Sequence, residues 1–324
     1  MEKQFENTII TKEKMSVIHS FDGCTDYCYK DKQGDCIVSR YGSFPGVHFF
    51  YKKFHRQNCM LRIQTPTKNM LVIEHCRVGC VECQANEEYF YLKPGDVAIR
   101  RTDGSVQKIY FPADYYQGID IVIDMEKAPH SFGHILEELN IDFAMLLEKL
   151  YMGENCFCFL RQNPHMEHIF SELYSVPDTV KPGYLKIKIL ELLLFLSGMD
   201  PKEISPVMRR LSPGQIRLAR ELHKYLAEHL MEQMTIDQLA QQFSVSPTRL
   251  KDSFRQTYGT SLHAFISEQR MRAAAELLRQ TDRKVADVAG ECGYSNASKF
   301  AAVFQRVMGD TPTQYRLKKT SKLE

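Results

Sequence analysis

The chain lacks a long hydrophobic run. Its most apolar stretch, Ile189 to Met199, is interrupted by Glu191 and is far shorter than the roughly 18 residues that a membrane span needs, so it reads as a buried helix. The charged start Met1-Glu2-Lys3-Gln4-Phe5-Glu6 leads into no apolar segment, which excludes the pattern of a secretory signal. The expectation is a cytosolic protein without a membrane partner. Ten cysteines in 324 residues, with no such signal, read as thiols kept reduced and leave no case for a disulfide framework. No His-x-His pair occurs. His48 and His55 stand seven apart, and Glu74 and His75 are neighbours, so on a strand they point to opposite faces. The metal cluster of a β-barrel enzyme is therefore missing, and neither enzymatic activity nor a cofactor is expected. What is present, 44% hydrophobic and 25% charged residues, is the composition of a folded chain, and its length suggests about two domains.

One metal arrangement stays open. Cys24-x3-Cys28 and Cys80-x2-Cys83, with Cys36 and Cys76 nearby, supply the number of thiolates that tetrahedral zinc takes, as in a zinc-thiolate sensor or repair protein. Against it, Cys76, Cys80 and Cys83 fall in LVIEHCRVGCVECQ, which reads as a hairpin where residues two apart share a face and residues three apart do not. Buried free cysteines acting as small hydrophobes are the favoured reading.

Charge divides the chain. Residues 209–324 carry 19 Lys and Arg against 12 Asp and Glu, whereas the other 208 residues carry 23 against 28. A basic C-terminal region on a mildly acidic body is the electrostatic layout of a protein that places one domain on phosphate.

Residues 1 to about 36 show no clear period and read as an arm with little regular structure. From Gly46 to about Asp124 come short segments rich in β-branched and aromatic residues, VHFFYKKF, MLRIQ, MLVIEHC, VGCVECQ, EYFYLK, DVAIRR, QKIYF and QGIDIVI, separated by turn formers such as Lys93-Pro94-Gly95-Asp96. They predict an antiparallel β-barrel or jelly roll. From Pro129 to Ile204 the period becomes helical: Ile135, Leu136, Leu139, Phe143, Leu146, Leu147 and Leu150 form one apolar stripe, and Ile187, Leu190 and Leu194 lie on another. The boundaries expected are an arm and β-region over 1–128, a helical dimerisation region and linker over 129–208, and an all-α domain over 209–324. Overall the fold class is α+β.

Within the last region one pattern occurs twice. LAQQFSVSPTRLKDSF, Leu239 to Phe254, is repeated by VAGECGYSNASKFAAVF, Val288 to Phe304. Ala240 corresponds to Ala289, Ser246 to Asn296, Leu250 to Phe300, Phe254 to Phe304 and Gly259 to Gly309, with one added residue near Ser295. Each copy has a small residue for close helix crossing, a tight turn, a polar N-cap and two apolar residues four apart, which are the parts of a helix-turn-helix. The second helix of the first copy turns outward Thr248, Arg249, Lys251, Asp252, Arg255 and Gln256. That of the second copy turns outward Ala297, Ser298, Lys299, Ala301, Ala302 and Gln305. A helix from Ser261 to about Arg279 joins the units. Two such units on one chain are suited to successive major grooves about 34 Å apart.

On these residues, 212 to 316 resemble the DNA-binding domain of the AraC/XylS family of bacterial transcription regulators, over about a third of the chain. The resemblance implies a sequence-specific regulator that binds double-stranded promoter DNA, usually an activator that contacts RNA polymerase. Carried over by alignment, the base-facing residues are Thr248, Lys251 and Asp252, with Arg249 and Arg255 nearer the backbone, and in the second unit Ser298, Lys299, Ala301 and Ala302; the caps Ser246 and Asn296 place the helix N-termini near phosphates. Two departures stand out. Ser244 occupies a turn position where Gly is common, and Ala301-Ala302 stand where many relatives carry a polar residue and Arg, which leaves open a second unit that binds backbone only or serves as scaffold. The strands followed by helices are similar to the effector-binding and dimerisation half of the family. A small-molecule effector and a homodimer are thus implied, with His48, Phe50, Tyr51, Arg62, Glu74 and His75 as candidate pocket residues on the strands.

Overall fold

Alternation along the strands of the first half decides its architecture. The strands are β1 (Ser16–Phe21), β2 (Cys24–Asp31), β3 (Gly34–Gly42), β4 (Val47–Arg56), β5 (Cys59–Gln64), β6 (Met70–Val78), β7 (Val81–Ala85), β8 (Glu88–Leu92), β9 (Val97–Thr102), β10 (Val106–Phe111), β11 (Tyr115–Asp124) and β12 (Phe157–Leu160). The computed structural model describes residues 16–320 except 22, 32–33, 57–58, 65–68, 86–87, 103–105, 112–114, 151–156, 162 and 205–210. The end of the expected helical region and linker, 205–208, lies outside the described residues. The chain divides into two compact units, 1–210 and 211–324.

In the first unit eight strands form one sheet in the order β1-β2-β3-β4-β11-β6-β9-β12, and four form a second in the order β5-β10-β7-β8. All the pairings are antiparallel. The sheets are open and pack face to face, so of the two expected forms, barrel or jelly roll, the closed barrel is ruled out and a two-sheet arrangement is found. Val38, Phe50, Phe54, Val72, Ala98 and Val122 of the large sheet share a core with Val81, Leu92 and Phe111 of the small one. The alternate residues Val47, Phe49, Leu71, Ile73, Val97, Ile99, Ile119, Ile121 and Ile123 face the helices. With both faces covered, β6 is buried from Met70 to Cys76. That is why its sequence runs apolar rather than alternating.

The segment read as an arm is where the reading fails most plainly. Residues 16–42 carry β1, β2 and β3, which extend the large sheet beyond β4. These strands lie toward the sheet's edge, and β1 is largely exposed, so they have little apolar periodicity to read. Their pairing partners, such as Tyr41 with Phe49, determine them instead. β12 also escaped the reading.

The helices of this unit are α1 (Ala128–Phe132), α2 (Ile135–Glu138), α3 (Phe143–Leu150), α4 (Pro164–Ser175) and α5 (Lys181–Gly198). The stripe from Ile135 to Leu150 is not one helix. It breaks at Asn140, whose φ of 53° lies in the left-handed region that Asn tolerates better than most residues. Phe132, Leu146, Leu150, Phe170, Leu185, Ile189 and Leu193 from these helices complete the core over the large sheet.

The second unit is all helical: α6 (Pro213–Glu228), α7 (Ile236–Gln242), α8 (Pro247–Tyr258), α9 (Leu262–Gln280), α10 (Val285–Glu291), α11 (Ala297–Met308) and α12 (Pro312–Thr320). Two cores share α9. Leu262 and Phe265 pack with Leu222, Leu239, Leu250 and Phe254, whereas Met271, Ala274, Ala275 and Leu278 pack with Val288, Ala289, Phe300 and Phe304.

Gly118 on β11 tests the packing of the first unit. The β6–β11 register slips beside it, and a Cβ there would stand 2.7 Å from the His75 carbonyl oxygen and overlap the Tyr116 ring. Backbone cannot yield as a side-chain tip can, so Gly118→Ala is expected to lower stability by about 1–3 kcal/mol, read as a shift of the urea unfolding midpoint of the full chain.

Candidate nucleic-acid interface

Each helix-turn-helix is built by local hydrogen bonds that the sequence encodes. Thr235 caps α7 with a capping box: its Oγ1 accepts from the Gln238 amide at 3.2 Å, and Gln238 Oε1 accepts from the Thr235 amide at 2.8 Å. The turn follows, with the Ser244 amide donating to the Gln241 carbonyl at 3.1 Å and Val245 to Ala240 at 3.0 Å. In the second unit Gly293 donates to Gly290 at 3.0 Å and Tyr294 to Ala289 at 2.9 Å. The same pair of bonds thus closes both turns. Ser246 then caps α8 by accepting from the Arg249 amide, with Pro247 in the first turn. Asn296 caps α11 by accepting from the amides of Ser298 and Lys299 at 2.9 and 3.0 Å. Both second helices end on a left-handed glycine, Gly259 at φ 75° and Gly309 at φ 84°.

Ser244 adopts φ 52° where its counterpart Gly293 adopts 81°. The residue flagged in the sequence is thus held in the left-handed region, which disfavours a side chain with a Cβ.

Burial divides α8 and α11 in the same way. Leu250, Ser253, Phe254, Thr257 and Tyr258 point inward, and Ser246, Thr248, Arg249, Lys251, Asp252 and Arg255 are exposed. On α11 Phe300 and Phe304 point inward, Asn296, Ser298, Lys299 and Ala302 are exposed, and Ala301 is half-buried. Each helix therefore presents one polar or small-residue face that begins at its N-cap, where amides and the helix dipole favour anions. The sequence reading omitted Arg306, which is exposed in the last turn of α11. Its counterpart fifty residues earlier is Gln256, so the repeat alone gave no reason to select it. With Lys299 it gives α11 two outward cations, although Ala301 and Ala302 replace Lys251 and Asp252.

Behind α8, His223 of α6 is buried between aromatic rings, its centroid 5.0 Å from those of Tyr258 and Phe265. Burial lowers its pKa to about 4.

In the first unit the candidate pocket residues do not gather on one side of the sheet. Glu74 and His48 share the face toward the small sheet with Phe50, Glu74 fully enclosed and His48 half-buried. Tyr51 and His75 face the helices instead: Tyr51 donates to the Leu173 carbonyl at 3.1 Å, and His75 stacks on Phe170 with centroids 4.3 Å apart. Arg62 lies on β5, and its side chain lies outside the described residues. Around Glu74 the inter-sheet core holds a charged cluster that the sequence reading missed. Lys52 pairs with Asp120 and stands 4.0 Å from Glu74, whose other partner, Arg100, lies at 3.4 Å. All four are buried. Burial pushes Asp120 up to about 6 against the pull of Lys52. For Glu74 burial is outweighed by Arg100 and then Lys52, which hold it below the usual carboxylate range. One Asp120 oxygen and the Tyr116 hydroxyl, both buried, find no hydrogen-bond partner among the described residues.

Among the described residues, no three or more His, Cys, Asp or Glu side chains are grouped to hold a metal ion. Burial pushes the Cys76 and Cys80 thiols well up. The Cys83 side chain lies outside the described residues. No helix among them is long and apolar enough to cross a membrane.

Two matching helix-turn-helix units with polar, cation-bearing outer helices and a shared linker helix define a double helix-turn-helix DNA-binding protein. Comparison with known proteins agrees. A helix-turn-helix domain family matches residues 239–318. The virulence regulon transcriptional activator VirF of Yersinia enterocolitica is 30% identical over 190 residues, covering 59% of this chain and 67% of that protein. The HTH-type transcriptional regulator ExsA of Pseudomonas aeruginosa is 33% identical over 132 residues, covering 41% of this chain and 46% of that one. The solved C-terminal domain of AraT, a response regulator from Geobacillus stearothermophilus, is 32% identical, with a TM-score of 0.31 covering 34% of this chain and 88% of that chain. The chain belongs to the AraC/XylS family and is a sequence-specific DNA-binding transcription regulator.

Two expected outcomes follow from the local geometry. Ser244→Gly relieves the left-handed backbone and should raise stability by up to about 1 kcal/mol, seen as a higher urea midpoint. For His223 the folded pKa lies below the unfolded value, so the unfolded chain binds more protons between about pH 4 and pH 6.5. Its contribution is whole above that window and falls with pH by roughly 1.4 kcal/mol per unit within it. His223→Phe should therefore flatten the acid side of the stability profile, measured by urea unfolding of both full chains at about pH 7.5 and pH 5.

Proposed function

We propose that the protein is an effector-responsive activator that places α8 and α11 in successive major grooves on one side of promoter DNA. The observation that carries this reading is the match of the two units in turn, cap and outer face, with both packed on α9. The name of the relative VirF, a transcriptional activator, supports activation over repression, and activation implies contact with RNA polymerase. Thr248, Lys251 and Asp252 lie on the exposed early turns of α8, from which side chains reach base edges. Arg249 and Arg255 serve the phosphates. On α11, Ser298 and Lys299 take the polar contacts while Ala301 and Ala302 offer methyl contacts, with Arg306 toward the backbone.

The N-terminal unit is proposed to bind the effector and to carry the homodimer contact. The buried cluster of Lys52, Glu74, Arg100 and Asp120, with its unsatisfied carboxylate oxygen, supports a polar effector between the sheets. On α5 the exposed Ile187, Leu194 and Phe195 support the helical region as the dimer contact. Effector binding then biases the N-terminal unit between two arrangements and thereby sets how the two DNA-binding units of a dimer meet the promoter.

The test is binding of the full chain to the DNA upstream of its own gene across a salt series with nonspecific competitor, followed by random-sequence selection. A protected site of about two helical turns with affinity falling steeply in salt supports the reading; no preference for any selected site removes it. Lys251→Ala should weaken specific binding by about 1–3 kcal/mol, a roughly 5- to 150-fold loss, and relax preference at one base position. Unchanged affinity and unchanged base preference would take Lys251 off the recognition face.

A further inference from the structure

A protein that reads two grooves at once must hold its two recognition helices at a fixed separation and rotation. The two cores of the second unit are distinct clusters on successive parts of α9, so something at their junction must resist twisting of one against the other. Arg270 occupies that junction, half-buried on α9 after Phe265 and just before Met271. Its Nε donates to the Leu230 carbonyl at 2.9 Å and its Nη2 to the Glu232 carbonyl at 2.8 Å. Both acceptors belong to the turn that leaves α6, whose C-cap is His229, and which leads into α7. The other end of the guanidinium lies against the turn of the second helix-turn-helix, where a Cβ on Gly293 would stand 3.0 Å from Arg270 Nη1.

The same α6–α7 turn is anchored in both cores. Met231 packs with the second cluster and Met234 with the first, and Gln233 Nε2 donates to the Gly293 carbonyl at 3.4 Å. Ser267 and Tyr294 join α9 to the second turn through hydroxyls 3.2 Å apart. Three segments therefore meet at one side chain: the entry to the first unit, the linker helix, and the turn of the second unit. A guanidinium suits this place because its planar fork presents donors at fixed angles to two carbonyls at once, whereas an ammonium offers a single rotatable point charge.

We infer that Arg270 is the positioning residue that sets the spacing and phase between α8 and α11, so that the protein discriminates among operators by the separation of their two half-sites. This rests on the two-groove reading above. Arg270 touches no base in this account and acts through the two turns it holds.

The probe is an operator selected from random-sequence DNA by the wild-type full chain, remade with the spacer between half-sites lengthened or shortened by one base pair. The wild type should protect both half-sites and prefer the selected spacing. Arg270→Ala should bind the selected operator roughly 10-fold less tightly while losing little or nothing on the altered spacers, so that the spacing preference collapses. Arg270→Lys should fall between the two, and it carries the test if Arg270→Ala does not fold as judged by circular dichroism. Gln233→Ala, which removes only the link to Gly293, should relax spacing preference more weakly. A simple loss of stability would lower affinity on every spacer alike, and that outcome, or an unchanged spacing preference in a folded Arg270 variant, overturns the assignment to Arg270 alone. A wild-type footprint confined to one half-site overturns the two-groove reading and this inference together.

Discussion

The burial of α9 in two cores at once is the constraint on which the DNA-binding unit depends. Neither helix-turn-helix forms its core from its own two helices alone. The first completes its core with Leu262 and Phe265 of α9 and with α6, and the second with Met271, Ala274, Ala275 and Leu278. Small residues carry much of this. Ala240 and Ala289 are both buried where the first helix of each pair crosses its partner, and a larger side chain there would push the recognition helix outward. Because the inner faces of α8 and α11 are fixed in this way, their outer faces are free to vary chemically. One carries Lys251, Asp252 and Arg255 and the other Ala301, Ala302 and Gln305 on the same backbone.

The first unit meets its constraint differently. A large sheet covered by helices on one face and by a second sheet on the other hides its central strands from water on both sides. Such a core tolerates polar groups only when they are paired: strand register sets Glu74 directly across from Asp120 on β11, while Lys52 and Arg100, which stand across from Gly118 and Val72, reach the two carboxylates diagonally. The pairing makes their burial tolerable without making it especially stabilising, since desolvation of four charges offsets much of the attraction. His75, on the opposite face, is instead explained by packing on Phe170 and a 3.0 Å hydrogen bond with the Tyr174 hydroxyl.

How much could be read from the residues varied with the range of the interactions. The repeat was legible because everything that defines it is local: caps, turns and apolar residues four apart fall within about twenty residues of chain, and Ser244 could be marked as unusual before its φ was seen. The strands from β4 to β11 were legible as strands, since Val47–Arg56 or Tyr115–Asp124 are rich in β-branched and aromatic residues. Their order was not. β11 between β4 and β6, and β12 at the far edge beside β9, follow from pairings across many residues. The edge strands β1 to β3 passed for an irregular arm because they are mostly exposed or half-buried and carry little apolar periodicity, and the break at Asn140 was hidden inside an unbroken apolar stripe. Arg306 escaped because its counterpart in the repeat is Gln256, and Arg270 because its partners are backbone carbonyls about forty residues earlier.

By itself, then, the sequence determined the class of protein. Short-range hydrogen bonding and periodicity specify a helix-turn-helix wherever these residues occur, and two copies in register with a basic surplus point to DNA. Tertiary structure decided what periodicity cannot carry: that the first unit is two open sheets rather than a barrel, that four charges meet in its interior while Tyr51 and His75 are turned away from them, and that one arginine holds two turns of the reading unit together. Those outcomes depend on which distant segments pack against each other, and close packing resolves that only once the whole chain has found one arrangement without voids or unpaired charge.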